Sequence, residues 1–143
     1  MAFSAWSVIA GETPTATKWN ILGSNDADFD TRLDTLEAKP INRAYTFGIT
    51  GSLAVGNEQG MKFIVPQNMT VVKIWFKIGS GTNAGVRIQK DTTNVDTFTA
   101  TTSVGSTTSI DSAALTAGQV LTLDITSVSG ATDLFVTVEC QQP

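Results

Sequence analysis

From about Ala44 onwards, apolar and polar residues alternate with a period of two, which is the pattern of half-buried β-strands. Leu123 and Ile125, for example, flank the polar Asp124, so one face of that strand is expected to be covered and the other to meet water. Turn-forming Gly, Asn and Pro residues separate the alternating segments. The predicted strands are Tyr45–Thr50, Met61–Val65, Thr70–Ile78, Gly85–Lys90, Asp96–Ser103, Val120–Val128 and Asp133–Gln141, with short additional strands near Leu53 and Ile110.

The fold class follows from the spacing of these strands. Seven or eight strands in about 100 residues, with no helical stretch between them, predict a mainly β fold, an antiparallel β-sandwich or jelly roll. The composition agrees, because 22 of the 143 residues are the β-branched Thr and only 15% are charged. The single cysteine, Cys140, is expected to be a small strand side chain.

The residue types that the chain lacks exclude several kinds of site. No His and one Cys rule out a Ser-His-Asp triad, a Cys-His dyad, a His-ligated metal and a disulfide within the chain. The formal net charge is −4 and the nine Lys and Arg residues are scattered, so nucleic-acid binding is not expected. We therefore expect a protein that is not an enzyme and that uses no cofactor or metal.

No stretch of the sequence is expected to insert into a membrane. The longest apolar-looking run, Val71–Ile78, contains Lys73 and Lys77 and is far shorter than the roughly 20 residues that a span needs. The N-terminal apolar run is too broken for a signal peptide and has no positive residue before it. We expect a protein that is made in a cytoplasm and leaves it, if at all, by another route.

The chain changes character near Pro40, because six of the 13 acidic residues lie within the first 40 residues and the Thr- and Gly-rich region comes after them. The predicted domains are residues 1–40 and 41–143. In the first, a short arm precedes two helical pieces. The first piece is expected to end at Gly23, and the second to begin with Ser24 as its cap.

The second helical piece carries a heptad pattern. Leu22, Phe29 and Leu36 recur every seven residues, and Leu33 completes a d-a-d seam, with Asp26 at the preceding a position. One interpretation is an amphipathic helix that lies on its own β-domain. The other, which we favour, is a twofold or threefold self-association seam, because a 15-residue helix ahead of a β-domain has little else to bury itself against.

The acidic residues of this region also resemble a calcium-binding loop of the EF-hand type. The sixth position of such a loop turns sharply and requires Gly, whereas here it is Thr31. A continuous helix with an acidic, solvated face is therefore the favoured interpretation. The acids that match positions 1, 3, 5, 9 and 12 of the loop are Asp26, Asp28, Asp30, Asp34 and Glu37.

The aromatic residues leave two interpretations open. Trp75 and Phe76 are adjacent in a predicted strand, so their side chains are expected on opposite faces, one in the core and one at a partner or in solvent. The aromatics could instead form a sugar-stacking platform, as in carbohydrate-binding modules. The residues concerned are Trp6, Trp19, Trp75, Phe3, Phe29 and Phe76.

The segment Gly11–Leu22, with the sequence GETPTATKWNIL, and the following Asn25–Phe29, NDADF, resemble the N-terminal segment of bacteriophage virion appendage proteins. In these tail-fibre-like and head-fibre-like proteins, a G-E-x-P-T-A-x-x-W/F-N stretch leads into an N-D-A helix. The segment Leu115–Leu121 is similar in style to the turns of small phage jelly-roll modules. The resemblance implies a non-enzymatic, usually trimeric part of a virus particle that is anchored by its N-terminus.

The expected function is accordingly that of a virion structural protein, a short head fibre, capsid decoration protein or tail-fibre-like appendage. Its partners would be two further copies of the chain and other virion proteins of the capsid or tail. The alternative is a carbohydrate-binding module that acts as an adhesin on a host-surface glycan. The residues expected to dock on the particle are Phe3, Trp6, Ile9 and Trp19.

Overall fold

The computed structural model describes residues 16–37 and 42–142. The chain divides into two compact units, Met1–Lys39 and Pro40–Pro143. In the first unit the described residues form a helix, α1 (Ala16–Glu37), and in the second they form two β-sheets. No helix among these described residues is both long and apolar enough to cross a membrane.

The prediction of two helical pieces separated at Gly23 is wrong, because α1 runs through Gly23 without interruption. A single Gly inside a helix costs only about 1 kcal/mol relative to Ala, which is too little to end a helix that continues on both sides. Ser24 does not cap a second helix. Its Oγ donates to the carbonyl oxygen of Asn20, one turn earlier, at 2.9 Å, a bond that hydroxyl side chains form within helices.

The acidic stretch that resembles a calcium loop also belongs to α1, so the loop interpretation is wrong. Thr31, at the position where such a loop turns, is helical, and its Oγ1 donates to the carbonyl oxygen of Ala27 at 2.8 Å. In a helix, acids two residues apart point to different sides. Within residues 16–37 and 42–142, no three His, Cys, Asp or Glu side chains are arranged to hold a metal ion.

The second unit is built from antiparallel strands in two sheets. In sheet A the order is β1-β9-β3-β6, and β7 also pairs with β3; in sheet B the order is β2-β8-β4-β5. In chain order the strands are β1 (Asn42–Ser52), β2 (Phe63–Ile64), β3 (Met69–Ser80), β4 (Asn83–Lys90), β5 (Thr93–Ala100), β6 (Gly105–Thr107), β7 (Ala114–Leu115), β8 (Val120–Ser129) and β9 (Thr132–Gln141).

The two sheets enclose one hydrophobic cluster. Alternate strand residues are fully buried in it, for example Phe47 and Leu134 from sheet A and Ile88 and Leu123 from sheet B. Cys140 is buried among them, as the alternation in β9 predicts. The prediction of a mainly β fold with an antiparallel β-sandwich is confirmed. The finer prediction of a jelly roll stays a prediction.

Each of the seven longer predicted strands overlaps an observed strand, but the two short ones do not form in the described chain. Leu53 lies in an irregular segment, where its N–H donates to the carbonyl oxygen of Ala131 at 3.0 Å and its side chain is buried. Ile110 also lies between strands. Their apolar character therefore reflects packing against the core rather than regular pairing. Between β4 and β5 the chain turns at Asp91, which has a φ of 53°.

Candidate functional site

The side chains of six of the eight predicted site residues lie outside the part of the chain that the structure describes. The particle-docking residues Phe3, Trp6 and Ile9 lie outside the described residues. Trp19, Leu22 and Leu36 belong to α1, but their side chains also lie outside the described part. The docking assignment and the assignment of the four seam positions therefore stay predictions.

The other two seam residues are exposed on α1. Phe29 is 59% exposed and Leu33 is 45% exposed. Because they are four residues apart in one helix, their side chains lie on the same face, one turn above the other. Large apolar side chains this exposed on neighbouring turns form a surface that a partner could cover.

The outer face of sheet A carries a second group of exposed apolar residues. Phe76 points inwards and stacks on Phe98, with ring centroids 4.4 Å apart and an interplanar angle of 15°. Its neighbour Trp75 points outwards and is 36% exposed, as the alternation of β3 predicts. Phe135 on β9 and Val72 on β3 are also exposed.

Two charged residues fix the indole of Trp75. Its Nε1 donates to Oε1 of Glu139 at 3.0 Å. The Nζ atom of Lys73 lies 3.7 Å from the centroid of the indole, a cation–π contact. Lys73 and Glu139 are opposite each other in the pairing of β3 with β9, so the sheet register itself brings the three side chains together.

A pocket of about 220 Å³ opens beside this cluster at the ends of β1, β3 and β9. Ala44, the neighbour of Glu139 on β1, is small and leaves space next to the carboxylate. On β3 the register shifts between Val71 and Lys73, which interrupts the regular side-chain alternation there. The pocket is lined by Asn42, Arg43, Ala44, Val72 and Glu139.

Sequence reasoning missed this pocket and most of the cluster. Lys73 and Glu139 are far apart in the chain, and no local motif marks either of them. The one available signal was Trp75 on the outer side of a strand. It identified Trp75 as a candidate contact residue, but it did not identify the charged neighbours or the pocket beside it.

A buried polar cluster surrounds Lys90, the C-terminal residue of β4. Nζ of Lys90 donates to Oγ of Ser112 at 2.7 Å and to the carbonyl oxygens of Ser112 and Ala114 at 3.3 and 2.5 Å. These bonds hold the segment before β7 against β4. Lys90 is only 9% exposed, and its buried ammonium group donates to neutral oxygens of Ser112 and Ala114.

Asp96 on β5 is 6% exposed, and only one of its carboxylate oxygens has a partner. Oδ1 accepts the N–H of Thr97 at 2.8 Å, whereas Oδ2 accepts no hydrogen bond within the described structure. Burial raises the pKa of Asp96, and the charge of Asp111 raises it further against the lowering effect of the Thr97 N–H. Asp96 is therefore a buried, incompletely hydrogen-bonded carboxylate rather than an accessible acid or base.

No protein-family model matches the sequence, and no curated protein matches it. Solved structures similar to the chain include the SPBc2 prophage-derived protein YomS, at 18% identity over 69% of this chain and 95% of that chain, with a TM-score of 0.34. Another is the acidic stable capsid structure of Helicobacter pylori bacteriophage KHP30, at 12% identity over 73% of this chain and 94% of that chain, with a TM-score of 0.34.

Proposed function

We propose that the chain is a structural protein of a bacteriophage virion, a short appendage built from three copies. In this proposal the N-terminal segment attaches the copies to the particle, α1 joins them to one another, and the β-sandwich is exposed. The observation that carries the proposal is the pair Phe29 and Leu33, two large apolar side chains on one face of α1 that are 59% and 45% exposed.

Burial of this face of α1 would make association of the copies energetically favourable. Removing apolar surface from water returns about 25 cal/mol per Å². A helix of this length is also marginally stable alone in water and gains stability when its apolar face is packed. The seam Leu22, Phe29, Leu33 and Leu36 spans two heptads, which is too short to hold a coiled coil by itself, so the β-units are expected to contribute contacts as well.

The number of copies follows from the resemblance to phage appendage proteins, which are usually trimeric. Asp26 occupies the a position that precedes the apolar part of the seam. A polar residue at an a position fixes the register and number of helices at some cost in stability. Such a residue is consistent with a seam that is selective rather than maximally stable.

Attachment is assigned to the N-terminal segment on sequence grounds. Phe3, Trp6, Ile9 and Trp19 give it a density of large apolar residues that suits docking on a protein surface. The resemblance of Gly11–Leu22 to the anchoring segment of phage appendages supports the same assignment. The partners would be capsid or tail proteins, and the chain would reach the virion after synthesis in the host cytoplasm.

Incorporation into particles tests the proposal. Trp6→Ala combined with Trp19→Ala is expected to remove the protein from purified particles while its β-unit stays folded. Phe135→Ala, which truncates an exposed aromatic of the β-unit, is the matched control and should be incorporated normally. Band intensities of the chain in particles assembled with each variant give the answer. Undiminished incorporation of the double variant would move the attachment site elsewhere, and absence of the wild-type chain from particles would remove the virion role.

A further inference from the structure

We propose that the outer face of sheet A binds a single neutral sugar ring, presented by a larger glycan, in the pocket beside Trp75. This inference goes beyond the structural role proposed above. The pocket is formed by strands of one β-unit, so it does not depend on how copies associate or where they attach.

The size of the pocket limits what it can hold. Sites for drug-sized ligands occupy about 300–1,000 Å³, and this pocket has about 220 Å³. That volume suits one six-membered ring with its hydroxyl groups. The remainder of a glycan would extend over the adjoining Thr-rich face, where Thr46 and Thr137 share a hydrogen bond of 3.1 Å on neighbouring strands.

The lining offers complementary chemistry for hydroxyl groups, which donate and accept hydrogen bonds at the same atom. Asn42 carries an amide that can do both, and Glu139 carries acceptors. Arg43 also lines the pocket, but it has the same parity on β1 as the inward-facing Tyr45 and Phe47. One Glu139 oxygen already accepts the indole N–H of Trp75, and the second accepts no bond from any described residue. Ala44 and Val72 add apolar surface for the C–H groups of a ring.

Trp75 adjoins the pocket through its bond to Glu139 and is held in advance of binding. The contact with Lys73 fixes the indole from a second direction. A side chain that is already immobilised loses little conformational freedom when a ligand packs against it. Because the Lys73 ammonium lies over one face of the indole, a sugar ring would pack against the remaining exposed part of the Trp75 side chain.

The charges favour a neutral sugar over a protein partner or a charged ligand. Lys73, Lys77 and Glu139 stand among the apolar residues of this face, whereas Lys and Glu are depleted in the cores of protein interfaces. Glu139 would repel an anionic sugar, and Lys73 would repel a cationic one. A neutral, hydroxyl-rich ring avoids both penalties.

The test is NMR of the ¹⁵N-labelled full chain titrated with glucose, galactose and N-acetylglucosamine, each to about 100 mM, since a single ring is expected to bind weakly. At least one sugar should shift the indole N–H signal of Trp75 in a saturable manner. Trp75→Ala, followed through the backbone amides of residues 42–44, should weaken binding at least about tenfold. Glu139→Gln keeps an acceptor for the indole and should weaken it less, and Phe135→Ala should leave it unchanged.

Two results would overturn the inference. One is the absence of any saturable shift at Trp75 with all three sugars, provided that the wild-type spectrum shows a folded β-unit. The other is movement of the same signals with protein concentration in the absence of sugar, which would make this face an interface between copies. Because the readout is a local signal in the isolated protein, either result leaves the particle role to be judged by its own experiment.

Discussion

Arg87 and Asp124 lie directly opposite each other on β4 and β8, and both Nε and Nη2 of Arg87 donate to the same carboxylate oxygen, at 3.0 and 2.6 Å. The other oxygen of Asp124 accepts the N–H of Glu58 at 2.7 Å. The Asp124 side chain is only 1% exposed. This carboxylate therefore ties the irregular segment between β1 and β2 to sheet B, and its buried charge is partnered on both oxygens.

Removal of the guanidinium should be costly because it leaves a buried carboxylate with one hydrogen bond. We expect Arg87→Met to lower the free energy of unfolding by about 2–3 kcal/mol. This is less than for a fully buried pair because the Arg87 side chain is itself 36% exposed. Lys62→Met, which breaks the exposed pair with Glu58, is the matched control and should cost less than about 1 kcal/mol. Urea unfolding of both variants provides the comparison, and equal losses would contradict the assignment.

Asp96 should destabilise the β-unit at neutral pH. Its pKa in the folded state is raised above the unfolded value by burial and by Asp111, so the folded state binds the proton more tightly. The stability should therefore fall as the pH rises from the unfolded pKa through the raised folded pKa. Asp96→Asn removes this penalty and is expected to stabilise the protein by about 1 kcal/mol at pH 7. Thermal melts between pH 4 and pH 8 should show a flatter profile for the variant.

Asp133 is a control for Asp96 because its pKa is shifted in the opposite direction. Hydrogen bonds from the Gly51 N–H and the Thr132 hydroxyl lower the pKa of Asp133, so its contribution is present above the unfolded pKa and is lost as the pH falls through the folded pKa. Asp133→Asn should therefore give no gain at pH 7. The prediction for Asp96 would be contradicted if Asp96→Asn lost stability and kept the pH profile of the wild type, because the Asp96 carboxylate would then have a stabilising partner.

The β-unit should fold without the N-terminal unit. Its core draws on both sheets and is closed by buried residues such as Phe47 and Leu123, and a chain of about 100 residues buries enough surface for independent stability. A fragment from Ile41 to Pro143 is expected to give a single cooperative thermal transition in circular dichroism. A broad, non-cooperative melt would mean that neighbouring copies complete the fold.

The strands were predictable because burial on one face of a sheet imposes a period of two that survives in the sequence. Pairings as short as β6 (Gly105–Thr107) and β7 (Ala114–Leu115) were not, since two or three residues contain no period. The helix break at Gly23 was predicted wrongly because a local preference of about 1 kcal/mol was weighed without the helical residues on either side.

The candidate sugar site could not be predicted from the sequence in the way that the strands could. Lys73, Trp75 and Glu139 meet only because β3 pairs with β9 in one particular register. The pocket beside them depends on Ala44 being small and on a local shift in that register. Both are properties of strand pairing between distant segments, so the sequence alone indicated Trp75 and none of its surroundings.

The mass of the full chain in solution tests the central claim most directly. Light scattering of the wild-type protein should give three times the chain mass of 15.1 kDa, and Phe29→Asp with Leu33→Asp should give a single chain, because a buried seam does not tolerate unpaired carboxylates. Ala27→Asp with Thr31→Asp adds the same two charges on the opposite side of α1 and should leave the mass unchanged. A wild-type mass of one chain, or an unchanged mass in the Phe29 and Leu33 variant, would contradict assembly through this helix.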